Sequence, residues 1–351
     1  MLRISLLTLA LFAPSSFAQD FKLPPGFEIS EYAGDALASD IFSMTIDPKG
    51  RLIVSGKNYI RILVDDKGEG KANRAIEFAT EPKTGAHGML REGDTLLFVG
   101  DAGLCKLTDK NGDDKADGPA TLIRPMKTGN DHTAHALRRG PDGWLYLLAG
   151  DQAGIDDSFV QLPTSPVKNP IAGTVVRFHP TSGKSEIVAH GLRNPYGFDF
   201  DAHGRLFTYD SDNERCIGMP WYEGTRLYQI VEGAYYGWLG PQFSSRMWRI
   251  PPYAPDTMAP LATFGRGSPT FVVAAVSTPD SSTLLLGDWT FGRVHRAVMP
   301  VSSLTQSKDP TVFLEPSASS SFAPTAAAIH PKTGDVFFAT GGRGTRGAVY
   351  R

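Results

Sequence analysis

Asp47-Pro48-Lys49-Gly50-Arg51-Leu52-Ile53-Val54 joins a tight turn to a strand of large apolar residues, and the same phrase returns along the whole chain. It recurs as Arg91-Glu92-Gly93-Asp94-Thr95-Leu96-Leu97-Phe98-Val99, as Gly140-Pro141-Asp142-Gly143-Trp144-Leu145-Tyr146-Leu147 and as Asp201-Ala202-His203-Gly204-Arg205-Leu206-Phe207-Thr208. A looser copy, Pro279-Asp280-Ser281-Ser282-Thr283-Leu284-Leu285-Leu286, precedes the last, His330-Pro331-Lys332-Thr333-Gly334-Asp335-Val336-Phe337-Phe338. Gly and Asp supply the turn geometry, and apolar and aromatic residues fill the strand that ends in small or acidic ones, so each copy predicts a β-hairpin. Hairpins recurring at roughly 40 to 80 residues are the mark of propeller blades, whose small sheets must stack on neighbours to bury both faces. Six copies predict an all-β fold, a six-bladed β-propeller.

Working outward, the rest of the chain agrees with that reading. The 37 glycines and 26 prolines interrupt the chain too often for long amphipathic helices. A β-sandwich is the competing fold, but it has no need of one hairpin phrase repeated from end to end. A propeller must close its ring, and the strand near Phe27-Glu28-Ile29-Ser30-Glu31-Tyr32 is placed to complete the last blade beside Gly347-Ala348-Val349-Tyr350. No internal linker is visible, and residues 19–351 read as one domain.

Before that domain, Met1-Leu2-Arg3, the apolar run Ile4 to Phe12 and Ser16-Phe17-Ala18 have the order of a secretory leader cleaved after Ala18. Pro14, Ser15 and Ser16 stop the run well short of the ~20 apolar residues a membrane span needs. The expected location is therefore periplasmic or secreted, with no membrane span in the mature chain. The 35 basic and 37 acidic residues nearly balance and form no basic track, which argues against nucleic acid as a partner. Cys105 and Cys216 could form one disulfide in an oxidising compartment; their spacing makes no zinc site, and the Cys-x-x-Cys-His haem attachment motif is absent.

Two segments carry candidate chemistry, because a propeller gathers its loops at the end of a central channel. Asp131-His132-Thr133-Ala134-His135 precedes the third hairpin, and its histidines are suited to a general base near neutral pH, to a metal, or to hydrogen-bonded channel lining. His190-Gly191-Leu192-Arg193-Asn194-Pro195 precedes the fourth and presents a cation and an amide together; the alternative is a structural Arg paired with a carboxylate. Asp109, Asn111, Asp113 and Asp117 alternate around Gly112 as the ligands of a calcium loop do, although Asp- and Gly-rich hairpin tips also occur without metal. Asp65-Asp66-Lys67-Gly68-Glu69-Gly70 is a weaker copy. Asp210, Asp212 and Glu214 form a second acidic loop that could bind calcium or answer Arg193 and Arg215.

Taken together, His132 eight residues before Gly140-Pro141-Asp142, then Gly191-Leu192-Arg193-Asn194-Pro195, Asp210-Ser211-Asp212 and Gly233-Ala234-Tyr235-Tyr236-Gly237-Trp238 resemble the soluble quinoprotein glucose/sorbosone dehydrogenases. Pro220-Trp221-Tyr222, Gly287-Asp288-Trp289-Thr290-Phe291-Gly292 and Gly341-Gly342-Arg343-Gly344-Thr345 are similar to exported sorbosone-dehydrogenase-like proteins of bacteria. The likeness covers most of the mature chain. It implies a six-bladed propeller that holds pyrroloquinoline quinone (PQQ) and calcium over the channel mouth, oxidises an aldose or related sugar alcohol, and passes electrons to an external acceptor. By position it implies that His132 is the base and that Arg193 polarises the quinone, with Asn194, His135, His87 and Thr290 as cofactor contacts and Asp210, Asp212 and Glu214 near calcium.

The chain departs from this family at the sites that hold the cofactor's carboxylates. Thr290 stands where the family places a Lys, and Phe322-Ala323-Pro324-Thr325 where it places an Arg pair; Arg266, Arg293, Arg343 or Arg346 are the available substitutes. Two other functions use the same fold: a calcium-dependent, lactonase-like hydrolase and a non-catalytic binding propeller.

Overall fold

In a computed structural model, described over residues 21–214, 222–239, 256–302, 309–317 and 322–351, the strands form six sheets arranged as a six-bladed propeller. The predicted leader and Cys216 lie outside the described residues. Blade 1 contains Ser43–Ile46, Leu52–Gly56, Tyr59–Val64 and Arg74–Ala79. Blade 2 contains Gly88–Glu92, Thr95–Gly100, Gly103–Thr108 and Thr121–Pro125, and blade 3 Ala134–Arg139, Leu145–Ala149, Gly173–Phe178 and Ser185–Leu192. Phe198–Phe200, Leu206–Asp210, Thr225–Ile230 and Ala262–Gly265 make blade 4; Pro269–Ser277, Ser281–Asp288, Arg293–Pro300 and Thr311–Pro316 make blade 5. Blade 6 contains Pro324–Ile329, Val336–Thr340 and Ala348–Tyr350. Asp157–Phe159 is a short helical turn, and among the described residues no helix is long and apolar enough to cross a membrane.

Every copy of the repeated phrase forms the turn between the first and second strands of a blade. In blade 1 the Asp47 carboxylate accepts the backbone N–H and the Nε–H of Arg51, both at 2.8 Å, and Asp201 treats Arg205 in the same way in blade 4. The period-2 alternation of the second strand then sends side chains to both neighbours. Leu52 and Val54 pack toward blade 6 while Ile53 packs toward blade 2; Leu96 and Phe98 meet blade 1 while Leu97 and Val99 meet blade 3. The core is accordingly divided into clusters, each wedged between adjacent blades, and the first strands of successive blades pass side by side around the channel.

The ring closes by a strand from the beginning of the chain, as expected, but it starts four residues later than the sequence placed it. Glu31–Gly34 pairs antiparallel with Ala348–Tyr350, with Glu31 opposite Tyr350 and Gly34 opposite Ala348. Ser30 and Arg351 extend the contact through reciprocal backbone hydrogen bonds of 2.9 Å, whereas Phe27 to Ile29 run outside the sheet. Phe21–Lys22 does something the sequence did not announce: it adds a fifth strand to blade 5 by pairing with Thr311–Pro316. Lys22 and Glu315 seal that contact at 3.0 Å.

Candidate functional site

Loops entering the first strands and loops leaving the second strands meet at one end of the channel, where they line a cleft of about 290 Å³. His87, His132, Asn194 and Thr270 come from the entering set, and Lys57, Asp212, Trp289 and Arg343 from the leaving set. His132 and Arg193, the two residues to which the resemblance gives chemical roles, thus reach the same cavity from different blades.

What holds them is a device repeated from blade to blade. In blades 2 to 5 an acid stands at or just after the end of the second strand and grips the loop entering the first strand of its own blade. Asp101 accepts the backbone N–H groups of Lys83 and Thr84 at 3.2 and 3.0 Å. In blade 4, Asp210 accepts those of Arg193 and Asn194 at 2.9 and 2.7 Å, and in blade 5, Asp288 accepts that of Ser268 at 3.0 Å. In blade 3 the acid is Asp151, and its carboxylate meets a side chain: His132 Nδ1 lies 2.7 Å from Oδ1. The Trp238 indole Nε1–H holds the other oxygen at 2.6 Å.

With Asp151 buried and fixed at both oxygens, the His132 ring is held with Nδ1–H toward the carboxylate, which leaves the Nε2 lone pair for the cleft. Backbone bonds lock the arrangement further: Gln152 N–H donates to the His132 carbonyl at 2.8 Å, and Asp151 N–H to the Arg193 carbonyl at 2.9 Å. Gly150 lets the segments approach this closely, because a Cβ there would stand 2.7 Å from the His132 carbonyl oxygen and 2.8 Å from Asn194 Oδ1. At Gly191 a Cβ would stand 2.3 Å from the Tyr235 ring, and the left-handed φ of 81° also favours glycine.

Arg193 is a cleft cation whose Nη1 donates to Ser211 at 2.7 Å and whose guanidinium lies over the Trp238 ring at 5.5 Å. Its buried Nε has no hydrogen-bond partner among the described residues. Beneath the cleft, His135 is fully buried, its Nε2–H donating to Asn194 Oδ1 at 3.1 Å and its ring stacking on Tyr196 at 3.7 Å between ring centres. Burial holds its pKa well below the ordinary histidine value and pushes His87 down to about 4, so both rings are neutral at physiological pH. Burial likewise lifts the Asp212 carboxyl above the usual range, against the opposing hydrogen bond from the Tyr222 hydroxyl.

Of the cofactor contacts implied by resemblance, His87 and Asn194 line the cleft, His135 lies behind it, and Thr290 is exposed on the rim with its hydroxyl 2.6 Å from Ser268. Arg343 is the substitute cation that reaches the cavity. Arg293 turns to Asp288 at 3.3 Å and Arg346 to Glu31 at 2.8 Å, and Arg266 is exposed outside the lining. Three groups escaped the sequence reading: Asp151, Trp238 as its anchor, and Lys57 on the blade 1 side.

A tricarboxylate quinone fits this donor set: Lys57, Arg193 and Arg343 surround the cavity, and the Arg193 Nε is an unspent donor. Calcium does not. Among the described residues no three His, Cys, Asp or Glu side chains converge into a group that could hold a metal. Asp109 accepts Gly112 N–H and Asp114 N–H, Asp117 accepts Lys110 N–H, and Asn111 and Asp113 bond each other and Lys115 N–H, so this acidic tip is satisfied by its own turn. Asp65 behaves likewise with Glu69 and Gly70. Asp210 faces the N–H groups of Arg193, Asn194 and Ser211, the opposite of a vacant ligand, while Asp212 bonds Tyr222 and the exposed Glu214 lies 3.8 Å from Arg193. Cys105 is buried and has no disulfide partner among the described residues, and burial raises its thiol pKa to about 11.

Comparison with known proteins agrees with this architecture. The six-bladed fold is shared with the PQQ-bound form of aldose sugar dehydrogenase from Streptomyces coelicolor, at 19% identity and a TM-score of 0.62 over 94% of this chain and 99% of that one. It is shared with the holo form of the pyranose dehydrogenase PQQ domain from Coprinopsis cinerea, at 12% identity and a TM-score of 0.67 over 95% and 98% of the chains. A calcium structure of a carbohydrate-active enzyme of family AA12 from Trichoderma reesei matches at 13% identity and a TM-score of 0.68 over 95% and 97%. No curated protein matches the sequence. The family described as a domain of unknown function, DUF7133, matches residues 13–229, more than half of the chain, and the chain belongs to that family.

Proposed function

We propose that this DUF7133 protein is a PQQ-dependent oxidoreductase that oxidises a hydroxyl of an aldose or related sugar alcohol and passes the electrons to an external acceptor. The observation that carries the reading is the His132–Asp151–Trp238 chain at a cleft ringed by Lys57, Arg193 and Arg343. When bound, the quinone supplies the hydride acceptor that the protein lacks.

The chain's own residues supply the rest. His132 Nε2 takes the proton of the substrate hydroxyl, and the imidazolium that results is stabilised by Asp151 across the 2.7 Å contact. Trp238 keeps the Asp151 carboxylate from turning away, so the ring does not have to find its orientation during the reaction. Arg193, held by Ser211 and by the Asp210 grip on its backbone, places positive charge where oxygen atoms gain electron density. Asn194, positioned through its backbone by Asp210 and through its side chain by His135, would contact the cofactor. The leader-like start supports export to the periplasm or beyond, with residues 19–351 acting as one domain.

Replacing the base separates chemistry from binding. His132→Ala is expected to abolish sugar-dependent dye reduction while quinone absorbance still reports saturable binding, whereas Arg193→Ala weakens both. Wild-type turnover in His132→Ala would overturn the assignment.

A further inference from the structure

The cations of the cleft are not equally occupied. Arg193 already bonds Ser211, and Arg343 donates to Asp131 at 2.7 Å. The Lys57 side chain has no hydrogen bond or ion pair with any described residue, although its backbone is firmly placed. It forms, with Asn58, the two-residue turn between Leu52–Gly56 and Tyr59–Val64, where Gly56 pairs with Tyr59. Asn58 takes a left-handed φ of 63° and its N–H donates to the Pro82 carbonyl at 3.0 Å; the Tyr59 hydroxyl donates to the Ser39 carbonyl. A fixed turn therefore carries a flexible, unspent ammonium to the cavity wall, which suits capture of an anion.

Arg343 lies on the neighbouring blade, over the Trp289 ring at 5.4 Å. Its partner Asp131 and its own side chain are both more than 60% exposed, so the pair is weak and an incoming carboxylate can take Asp131's place at little cost. At the expected lysine position stands Thr290, whose hydroxyl is spent on Ser268, and Phe322 is buried in the apolar layer between blades 5 and 6.

We propose that Lys57 and Arg343 form an anion clamp for the carboxylates of an aromatic polycarboxylate in the cleft, with Asp131 as the internal anion that it displaces. The clamp moves the carboxylate contacts from blade 5 and the start of blade 6 to blade 1 and the second turn of blade 6. It rests on the quinone reading for the identity of the ligand, but its anion chemistry can be tested without redox turnover.

The experiment is an equilibrium titration of the full-length chain with PQQ and, separately, with trimesate, a redox-inert aromatic tricarboxylate, read by tryptophan fluorescence at several salt concentrations. Lys57→Gln is expected to weaken both ligands by about tenfold or more, as loss of a charge-assisted hydrogen bond does, and to flatten the salt dependence. Lys57→Arg should restore most of the affinity, and Asp131→Asn should tighten binding by about threefold by freeing Arg343. Unchanged affinity for both ligands in Lys57→Gln, or no binding of either by the wild type, would overturn the clamp. Lys57-dependent trimesate binding without sugar oxidation would keep the clamp and remove the dehydrogenase reading; sugar oxidation with Lys57-independent quinone binding would do the reverse.

Discussion

Asp151 and Asp210 occupy the same place in successive blades, at or just after the end of the second strand, yet they hold different things. Asp210 spends its oxygens on three backbone N–H groups and lies 3.7 Å from Arg226; Asp151 spends one oxygen on the His132 ring and the other on Trp238. The first contact fixes a loop, and the second fixes a side chain that can move a proton. The difference teaches how a structural repeat becomes a site: the acid that ties the entering loop in blades 2 to 5 is already aimed at the channel mouth, and a histidine in that loop turns it into the partner of a base.

The comparison can be broken most sharply at Asp151. Asp151→Asn keeps size and burial but removes the charge that orients and balances His132, so turnover should fall on the order of 10³-fold or more, with the urea midpoint almost unchanged. If activity survives, the pair is only another loop tie. Asp210→Ala should instead cost stability, by about 3 to 5 kcal/mol in urea unfolding, because three N–H groups lose their acceptor and the buried Arg226 loses a carboxylate 3.7 Å away. A small loss there would mean that water replaces the carboxylate and that the blade 4 acid is not structural.

A third prediction concerns the neutral rings under the cleft, which the two acids do not reach. Burial depresses His87 to about 4, so between pH 6.5 and 4 the unfolded chain binds a proton that the native state refuses. Stability from this group is therefore complete above pH 6.5 and lost as the pH falls, by about 2.5 kcal/mol at pH 4.5, with His135 shifting in the same direction. Urea midpoints of the wild type and His87→Gln should converge on acidification; parallel curves would contradict the buried neutral ring. The smallest effect belongs to the exposed rim. Asp131→Ala should change stability by less than about 1 kcal/mol, and that change should vanish in high salt.

Much of the scaffold was legible because its chemistry is local. A turn such as Asp47 to Gly50 is stabilised by atoms within four residues, and it appears at the same point of each blade. The closing strand was legible because a ring demands one, but its start was not, since the Glu31–Tyr350 register depends on pairing across the whole chain. Phe21–Lys22 on blade 5 was hidden for the same reason.

At the site, His132 and Arg193 were marked by motif, whereas Asp151 and Lys57 were not. Asp151 had a signal in the recurrent strand that ends in an acid, visible also in Asp101, Asp210 and Asp288, but its use depends on Trp238, 87 residues away. Lys57 had none, because an exposed lysine in a hairpin turn reads as an ordinary solvated charge. At the acidic tip of Asp109 to Asp117, the alternating oxygens that suit a cation also accept the N–H groups of their own turn.

The central claim is most directly tested by titrating purified, metal-free protein with PQQ, following the quinone absorbance, and then measuring dye reduction across a panel of aldoses with and without added calcium. The account predicts saturable binding and sugar-dependent reduction that is lost in His132→Ala. No binding at micromolar quinone, or equal reduction by wild type and His132→Ala, would contradict it.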